Sequence, residues 1–150
     1  MLVRPRIAAM LLVCSAVGAC TPVPGPAAAP PHAPYRGPLA SSLQVEPMGD
    51  SARLVLQVTN ASEAPVQLQF ASGQSYDFAV LDGAREVWRW SADRMFTQAL
   101  RNETLAAGET RRYAEIWHPA AALHGRDLTA RAWLTASDQP LEQSAQFRLP

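Results

Sequence analysis

The chain has 150 residues, and its 13 basic and 13 acidic side chains give a formal net charge of zero. A balanced chain lacks the field that attracts nucleic acid, so we expect no nucleic-acid partner, and a chain of this length provides for one folded domain. All the basic residues are arginine. The absence of lysine excludes a phosphate-binding P-loop and Schiff-base catalysis.

The first twenty residues have the layout of an export signal. Arg4 and Arg6 precede an apolar run over residues 7–17, and small residues follow. The run is shorter than the roughly 20 residues that a membrane-spanning helix needs. Residues 17–20, VGAC, resemble the lipobox of bacterial lipoproteins, in which the cysteine is acylated and becomes the mature N-terminus. We therefore expect a lipoprotein signal peptide over residues 1–19 and lipid attachment at Cys20; the alternative is an ordinary secretory peptide with Cys20 as an incidental thiol.

Lipidation at Cys20 would attach the protein to a membrane and would leave the mature protein without a free thiol. Cys14, the only other cysteine, lies in the segment that would be removed, so no thiol would remain for a nucleophile or a metal. Thr21 stands where an aspartate would signal retention in the inner membrane. We expect a lipid anchor in the bacterial cell envelope, in the outer membrane facing the periplasm.

Residues 20–38 hold more than half of the 13 prolines and cannot form a core. Such a composition predicts an extended linker that begins at the lipidated cysteine. The folded domain is expected to span residues 39–150.

Apolar residues alternate with polar ones through most of this domain. Leu54, Leu56 and Val58 share one face, and residues 66–70 repeat the pattern. An Asp82-Gly83 pair predicts a hairpin turn. Only residues 93–102 could form a short helix. Seven to eight short strands predict an all-β fold, an antiparallel immunoglobulin-like β-sandwich. The predicted strands are residues 43–46, 52–60, 66–70, 76–80, 85–90, 110–117, 128–136 and 143–149.

Two tryptophans, Trp88 and Trp90, lie one residue apart in the sequence EVWRWS. Alternation places them on one face, with Arg85, Val87 and Arg89 on the other, which is the more natural face for solvent. We expect the tryptophans to point inward, and the alternative is an exposed platform for a ligand. The predicted aromatic core comprises Phe70, Phe78, Trp88, Trp90, Tyr113 and Trp117.

A series of motifs resembles a known family. They are Asn60, Pro65-Val66, Leu68, Phe70, SGQSYDF (72–78), EVWRWS (86–91), FTQAL (96–100), Gly108-Glu109, Tyr113 and Trp117. Together they are similar to the BsuPI family of intracellular proteinase inhibitors. The resemblance implies an immunoglobulin-like sandwich that inhibits serine proteases of the subtilisin kind.

No arrangement typical of an enzyme is visible. The three histidines match no metal-ligand spacing, and no nucleophile-turn motif is present. We expect a protein that is not an enzyme and that uses no cofactor and no metal.

Two loops are predicted to contact a partner protein. The first leads through Gly73 and Gln74 into Tyr76 and Asp77. Gly73 can adopt a positive φ, and Asp77 either fixes this turn or holds it rigid for presentation. The second loop, residues 91–104, carries Arg94, Met95 and Phe96. Met95 and Phe96 suit an apolar specificity pocket, although we expect Phe96 to be buried against the sandwich instead.

The leading hypothesis is a monomer whose loops occupy the active-site cleft of a subtilisin-like protease. The competing hypothesis is a non-inhibitory interaction or assembly module of the cell envelope, because sandwich folds serve many roles.

Overall fold

The computed structural model describes residues 37–150. The predicted signal peptide, Cys20 and all but the last two residues of the predicted linker lie outside this range. Nine strands and one 3₁₀ helix, Ala121–Leu123, follow in chain order. The strands are β1 (Leu39–Met48), β2 (Ser51–Asn60), β3 (Val66–Phe70), β4 (Tyr76–Asp82), β5 (Arg85–Arg89), β6 (Arg101–Leu105), β7 (Thr110–Trp117), β8 (Asp127–Leu134) and β9 (Leu141–Arg148). Within residues 37–150, no helix is long and apolar enough to cross a membrane.

The strands form three antiparallel sheets around one core. Their orders are β1-β2-β7, β5-β4-β8-β9 and the two-stranded β3-β6. A hydrogen bond of 2.9 Å from Gln143 Nε2 to Ser41 Oγ joins β9 to β1. The prediction of an all-β antiparallel sandwich is confirmed.

The core follows the alternation in the sequence. In β3, Val66, Leu68 and Phe70 are buried while the two glutamines between them are exposed. Phe70 and Phe78 are the largest fully buried side chains. Each such side chain contributes about 1.5–3 kcal/mol by leaving water, so the strands are held mainly by the face that they bury.

One strand, β6, was not predicted, and it lies partly where a short helix was expected. The helix prediction for residues 93–102 is wrong: residues 91–100 form an irregular loop, and β6 pairs with β3 from Arg101↔Phe70 to Leu105↔Val66. Leu105 is fully buried beneath this ladder. Local helix propensity is a weak preference, and the pairing with β3 and burial of Leu105 override it.

A β-bulge changes the predicted faces of β5. Leu81 pairs with Glu86 and Val80 with Trp88, so Val87 is an extra residue without a partner in β4. Val87 is half-buried and packs against the core. Its predicted place on the solvent face is therefore wrong, because the bulge breaks the simple alternation.

Trp88 and Trp90 are half-buried, and both pack against the core. The ring of Trp88 lies 6.1 Å from that of Trp117, which is buried. Tyr113 is also half-buried against the core.

One end of the β3-β6 pair is closed by Asn60, which is fully buried. Its side-chain nitrogen donates to the carbonyl oxygens of Ala64, Leu105 and Ala106 at 2.8, 3.0 and 3.1 Å. Its side-chain oxygen accepts hydrogen bonds from the amide and hydroxyl of Ser62 at 3.0 and 2.7 Å. A single amide thus ties the loop before β3 to the loop after β6; we call these loops, residues 61–65 and 106–109, the Asn60 end.

Candidate protein-binding site

The two loops predicted to bind a partner lie next to each other. The first loop, residues 71–75, follows Phe70. The second loop was predicted over residues 91–104 but ends at residue 100, because residues 101–104 belong to β6. Because Phe70 and Arg101 are paired, both loops leave the β3-β6 pair at the same end, opposite the Asn60 end. The amide of Gly73 donates to the carbonyl oxygen of Thr97 at 2.8 Å. We refer to the two together as the loop pair.

Gly73 is required by this contact and not by its backbone angle. Among the described residues, positive φ is found at glycines 49, 83, 108 and 125, so the positive φ expected for Gly73 is wrong. A Cβ atom at position 73 would instead lie 2.7 Å from Thr97 Oγ1 and 3.3 Å from the Thr97 amide nitrogen. The absence of a side chain allows the two loops to approach.

Asp77 is 3% exposed and anchors the second loop. One carboxylate oxygen accepts from the amides of Phe78 and Ser91 at 2.9 and 3.1 Å. The other accepts from the Ser91 hydroxyl at 2.6 Å and faces Arg89 Nη1 at 3.3 Å. These bonds go to the start of the second loop rather than to residues 71–75. Asp77 therefore does not fix the turn that precedes it, and its burial leaves no surface for a partner.

The first loop is held from two sides. Arg101 Nε donates to the carbonyl oxygen of Ser72 at 3.2 Å, and Arg101 Nη2 donates to Ser75 Oγ at 2.8 Å. The hydroxyl of Thr135 donates to the carbonyl oxygen of Gln74 at 2.6 Å. Gln74 itself is half-buried. Neither Arg101 nor Thr135 was predicted as part of the site, because both lie far along the chain and no local motif marks them.

Three aromatic rings stack on one another, and Phe96 of the second loop packs at a tilt against the first of them. Phe96 lies 5.6 Å from Trp90, Trp90 lies 4.5 Å from Tyr76, and Tyr76 lies 4.6 Å from Tyr113. The indole Nε1 of Trp90 is buried without a hydrogen-bond partner among residues 37–150. The faces of this ring, rather than its N–H group, therefore make its contacts. Sequence reasoning placed Trp90 in the core and missed its contact with the loop.

The middle ring of the stack, Tyr76, has an acidic partner. The hydroxyl of Tyr76 donates to Glu115 Oε1 at 2.6 Å. Burial raises the pKa of Tyr76 above its ordinary value, and the hydrogen bond to the Glu115 carboxylate raises it further. Burial also raises the pKa of Tyr113. Both phenols are therefore held neutral, which suits a packed stack.

The tip of the second loop has three different side-chain environments. The guanidinium of Arg94 lies 4.4 Å from the centre of the Trp90 ring, and Arg94 Nε donates to the Trp90 carbonyl oxygen at 3.1 Å. Phe96 packs on the same ring. Met95, between them, is 100% exposed. The loop tip thus presents one apolar side chain while its two neighbours are held.

The described residues offer little to a metal. Within 37–150, no group of three or more His, Cys, Asp and Glu side chains is close enough to hold an ion. The chemistry that the loop pair offers is surface contact.

Comparison with known proteins identifies a family. A model of the BsuPI family, described as intracellular proteinase inhibitor, matches residues 39–139. No curated protein matches the chain. Among solved structures, the sporulation control protein Spo0M from Bacillus subtilis is similar, with 11% sequence identity and a TM-score of 0.42. The comparison covers 75% of this chain and 49% of that one, so the chain spans about half the length of Spo0M. Because the family model covers most of the chain, the protein belongs to the BsuPI family of intracellular proteinase inhibitors.

Proposed function

We propose that this protein binds and inhibits serine proteases of the subtilisin kind by placing the loop pair in the active-site cleft. Family membership supports a proteinase as the partner. The observation that carries the proposal is the anchoring of the second loop: Ser91 is bound to Asp77, and Thr97 to Gly73, while the tip between them is exposed.

Anchoring favours inhibition because it lowers the entropic cost of binding. Each side chain immobilised on association costs about 0.5–1.5 kcal/mol, and a loop that is already held loses less. A stiff loop that fills the cleft excludes substrate without any chemistry of its own. The proposed inhibitor therefore acts by steric occupation.

Titration of a protease tests this proposal. The purified full chain, kept in mild detergent, is expected to abolish the hydrolysis of a small chromogenic peptide by subtilisin at equimolar ratio, as a monomer would. A binding measurement with catalytically inactive subtilisin gives the affinity independently of turnover. Unchanged hydrolysis across subtilisin-like, trypsin-like and chymotrypsin-like proteases would contradict inhibition and favour the non-inhibitory interaction module.

We further propose that Cys20 carries the lipid that attaches the protein to the bacterial envelope, in the outer membrane facing the periplasm. The lipobox-like sequence at residues 17–20 supports this assignment, and the first strand begins at Leu39. The proline-rich residues between would allow the domain to stand off from the membrane by on the order of 50 Å, at about 3.1 Å per residue.

Substitution of the cysteine tests the anchor. Cys20→Ser is expected to release the protein from the membrane fraction and to prevent labelling by an alkyne fatty acid. Cys14→Ser is the matched control and should remain labelled and membrane-bound. Retention of the Cys20→Ser variant in the membrane, or a wild type that takes up no label, would contradict lipidation.

A further inference from the structure

Met95 is the most exposed large apolar side chain in the part of the chain that the structure describes. It is 100% exposed, whereas Leu100 is 87% and Met48 41% exposed. A single exposed apolar residue is ordinary on a protein surface. Further observations are therefore needed to decide whether Met95 has a role.

The two neighbours of Met95 are fixed to the same ring. Arg94 lies over Trp90 and bonds to its carbonyl oxygen, and Phe96 packs against Trp90 at 5.6 Å. Trp90 is in turn stacked on Tyr76. The position of Met95 is thus set from both sides, although its own side chain contacts only solvent.

The backbone of Met95 is also free to form hydrogen bonds. Within residues 37–150, neither its amide nor its carbonyl oxygen has a hydrogen-bond partner, while the flanking Arg94 amide donates to the Ser91 carbonyl oxygen and the Thr97 carbonyl oxygen accepts from Gly73. An exposed N–H and C=O on a fixed segment can pair with the main chain of a partner as an added strand does. Met95 therefore offers both a side chain and a peptide backbone for recognition.

We propose that Met95 determines specificity by inserting its side chain into the apolar primary specificity pocket of a subtilisin-like protease, with its backbone paired to the edge of the cleft. The inference rests on the proposed inhibitory function and assigns that function to one residue. Phe96 is not available for this role because its ring is packed on Trp90. Leu100, the other exposed apolar residue of the second loop, directly precedes β6 and lines a surface depression with Phe70 and Asn102, so it lies at the base of the loop and not at its tip.

Inhibition constants of three variants test the assignment. Met95→Asp is expected to weaken the inhibition of subtilisin by roughly 100-fold or more, because an unpaired carboxylate would be buried in an apolar pocket. Met95→Leu keeps size and polarity and is expected to remain within about 3-fold of the wild type. Met48→Asp is the matched control: it changes an exposed methionine on β1, outside the loop pair, and should remain within about 3-fold.

The outcomes separate the two proposals. The variants are made in the full chain, and unchanged thermal unfolding of Met95→Asp shows that the fold is intact. If the wild type inhibits and Met95→Asp inhibits equally well, the assignment of Met95 is overturned while the inhibitory function stands. A larger loss from Leu100→Asp than from Met95→Asp would also overturn it. If the wild type inhibits no protease, the inhibitory function fails and the assignment fails with it.

Discussion

The two ends of the β3-β6 pair are both organised by a buried polar side chain, yet they differ in what they expose. Asn60 donates and accepts within the loops at its own end, and the exposed residues there include Ala106 and Ala107. Within the loop pair, Asp77 binds the start of the second loop at Ser91, and an apolar tip extends beyond that anchor. We call the end with the loop pair the Asp77 end.

The difference indicates how one sandwich can combine a sealed end with an end that presents an exposed loop tip. A buried polar group stabilises loops when each of its hydrogen-bonding atoms has a partner. At the Asn60 end these partners span both loops, and at the Asp77 end they hold the base of one loop. We therefore expect damage at the Asn60 end to reduce stability most, and damage at the Asp77 end to affect binding more than stability.

Removal of the Asn60 side chain should have the largest effect on stability. Asn60→Ala leaves the buried carbonyl oxygen of Leu105 and the part-buried ones of Ala64 and Ala106 without this donor, and an unsatisfied buried group costs about 1–3 kcal/mol. The free energy of unfolding, measured in urea, is expected to fall by about 3 kcal/mol. Ser62→Ala removes only a hydroxyl and should cost less than half as much. A loss below about 1 kcal/mol for Asn60→Ala would break the comparison between the ends.

Removal of the Asp77 carboxylate should lower the free energy of unfolding less than removal of the Asn60 side chain does, and it should loosen the second loop. Asp77→Ala leaves the amides of Phe78 and Ser91 without an acceptor, and we expect a loss of about 2 kcal/mol. Amide hydrogen exchange should accelerate in residues 91–97 and remain slow in β2. Asp77→Asn retains an acceptor oxygen and should lie between this variant and the wild type. Uniform acceleration across both ends would show that Asp77 supports the whole fold rather than its own loop.

A methyl group at position 73 should strain the contact between the two loops. Gly73→Ala places a Cβ against Thr97 Oγ1 and is expected to cost about 1–3 kcal/mol. Thr97→Ala removes that oxygen. In a double-mutant cycle, the pair is expected to be more stable than the sum of the single changes by about 0.5–1 kcal/mol. Additive effects would mean that the loops adjust independently and do not support each other.

High pH should loosen the Asp77 end, with the smallest effect of the four. The pKa of Tyr76 is raised in the folded state, so the unfolded chain loses this proton first as the pH passes about 10. Stability contributed by the neutral phenol is complete below that pH and is lost as the pH rises further. The free energy of unfolding is expected to fall less steeply above pH 10 for Tyr76→Phe than for the wild type, with Tyr113 contributing the remaining slope. Equal slopes would show that Tyr76 ionises as freely in the fold as in the unfolded chain.

Strands could be predicted from the sequence where burial follows the two-residue period. In β3, every apolar position is buried and both glutamines are exposed, so the local pattern was sufficient. At β6 it was not, because residues 93–102 are compatible with a helix, and only the pairing of residues 101–105 with β3 determines a strand there. The bulge at Val87 was equally invisible, since it depends on the register against β4.

The contacts within the predicted loops could not be derived from the sequence. Gly73, Asp77 and Met95 were singled out, yet Gly73 and Asp77 were each given a role in their own turn. Their partners lie elsewhere: Asp77 holds Ser91, 14 residues later, and Gly73 meets Thr97 in the second loop. Such roles are set by tertiary contacts, and a single sequence contains no local signal for them.

The bonds that support the second loop have a consequence for how this family could diversify. Asp77 holds the loop through the amide and hydroxyl of Ser91, and the amide of Gly73 holds it through the carbonyl oxygen of Thr97. Neither anchor depends on the side chain at position 95. Replacement of that side chain would leave the scaffold thermodynamically unaffected. Under the proposed role of Met95, a change of one codon at the tip would alter the specificity of the molecule without compensating changes in the sheets.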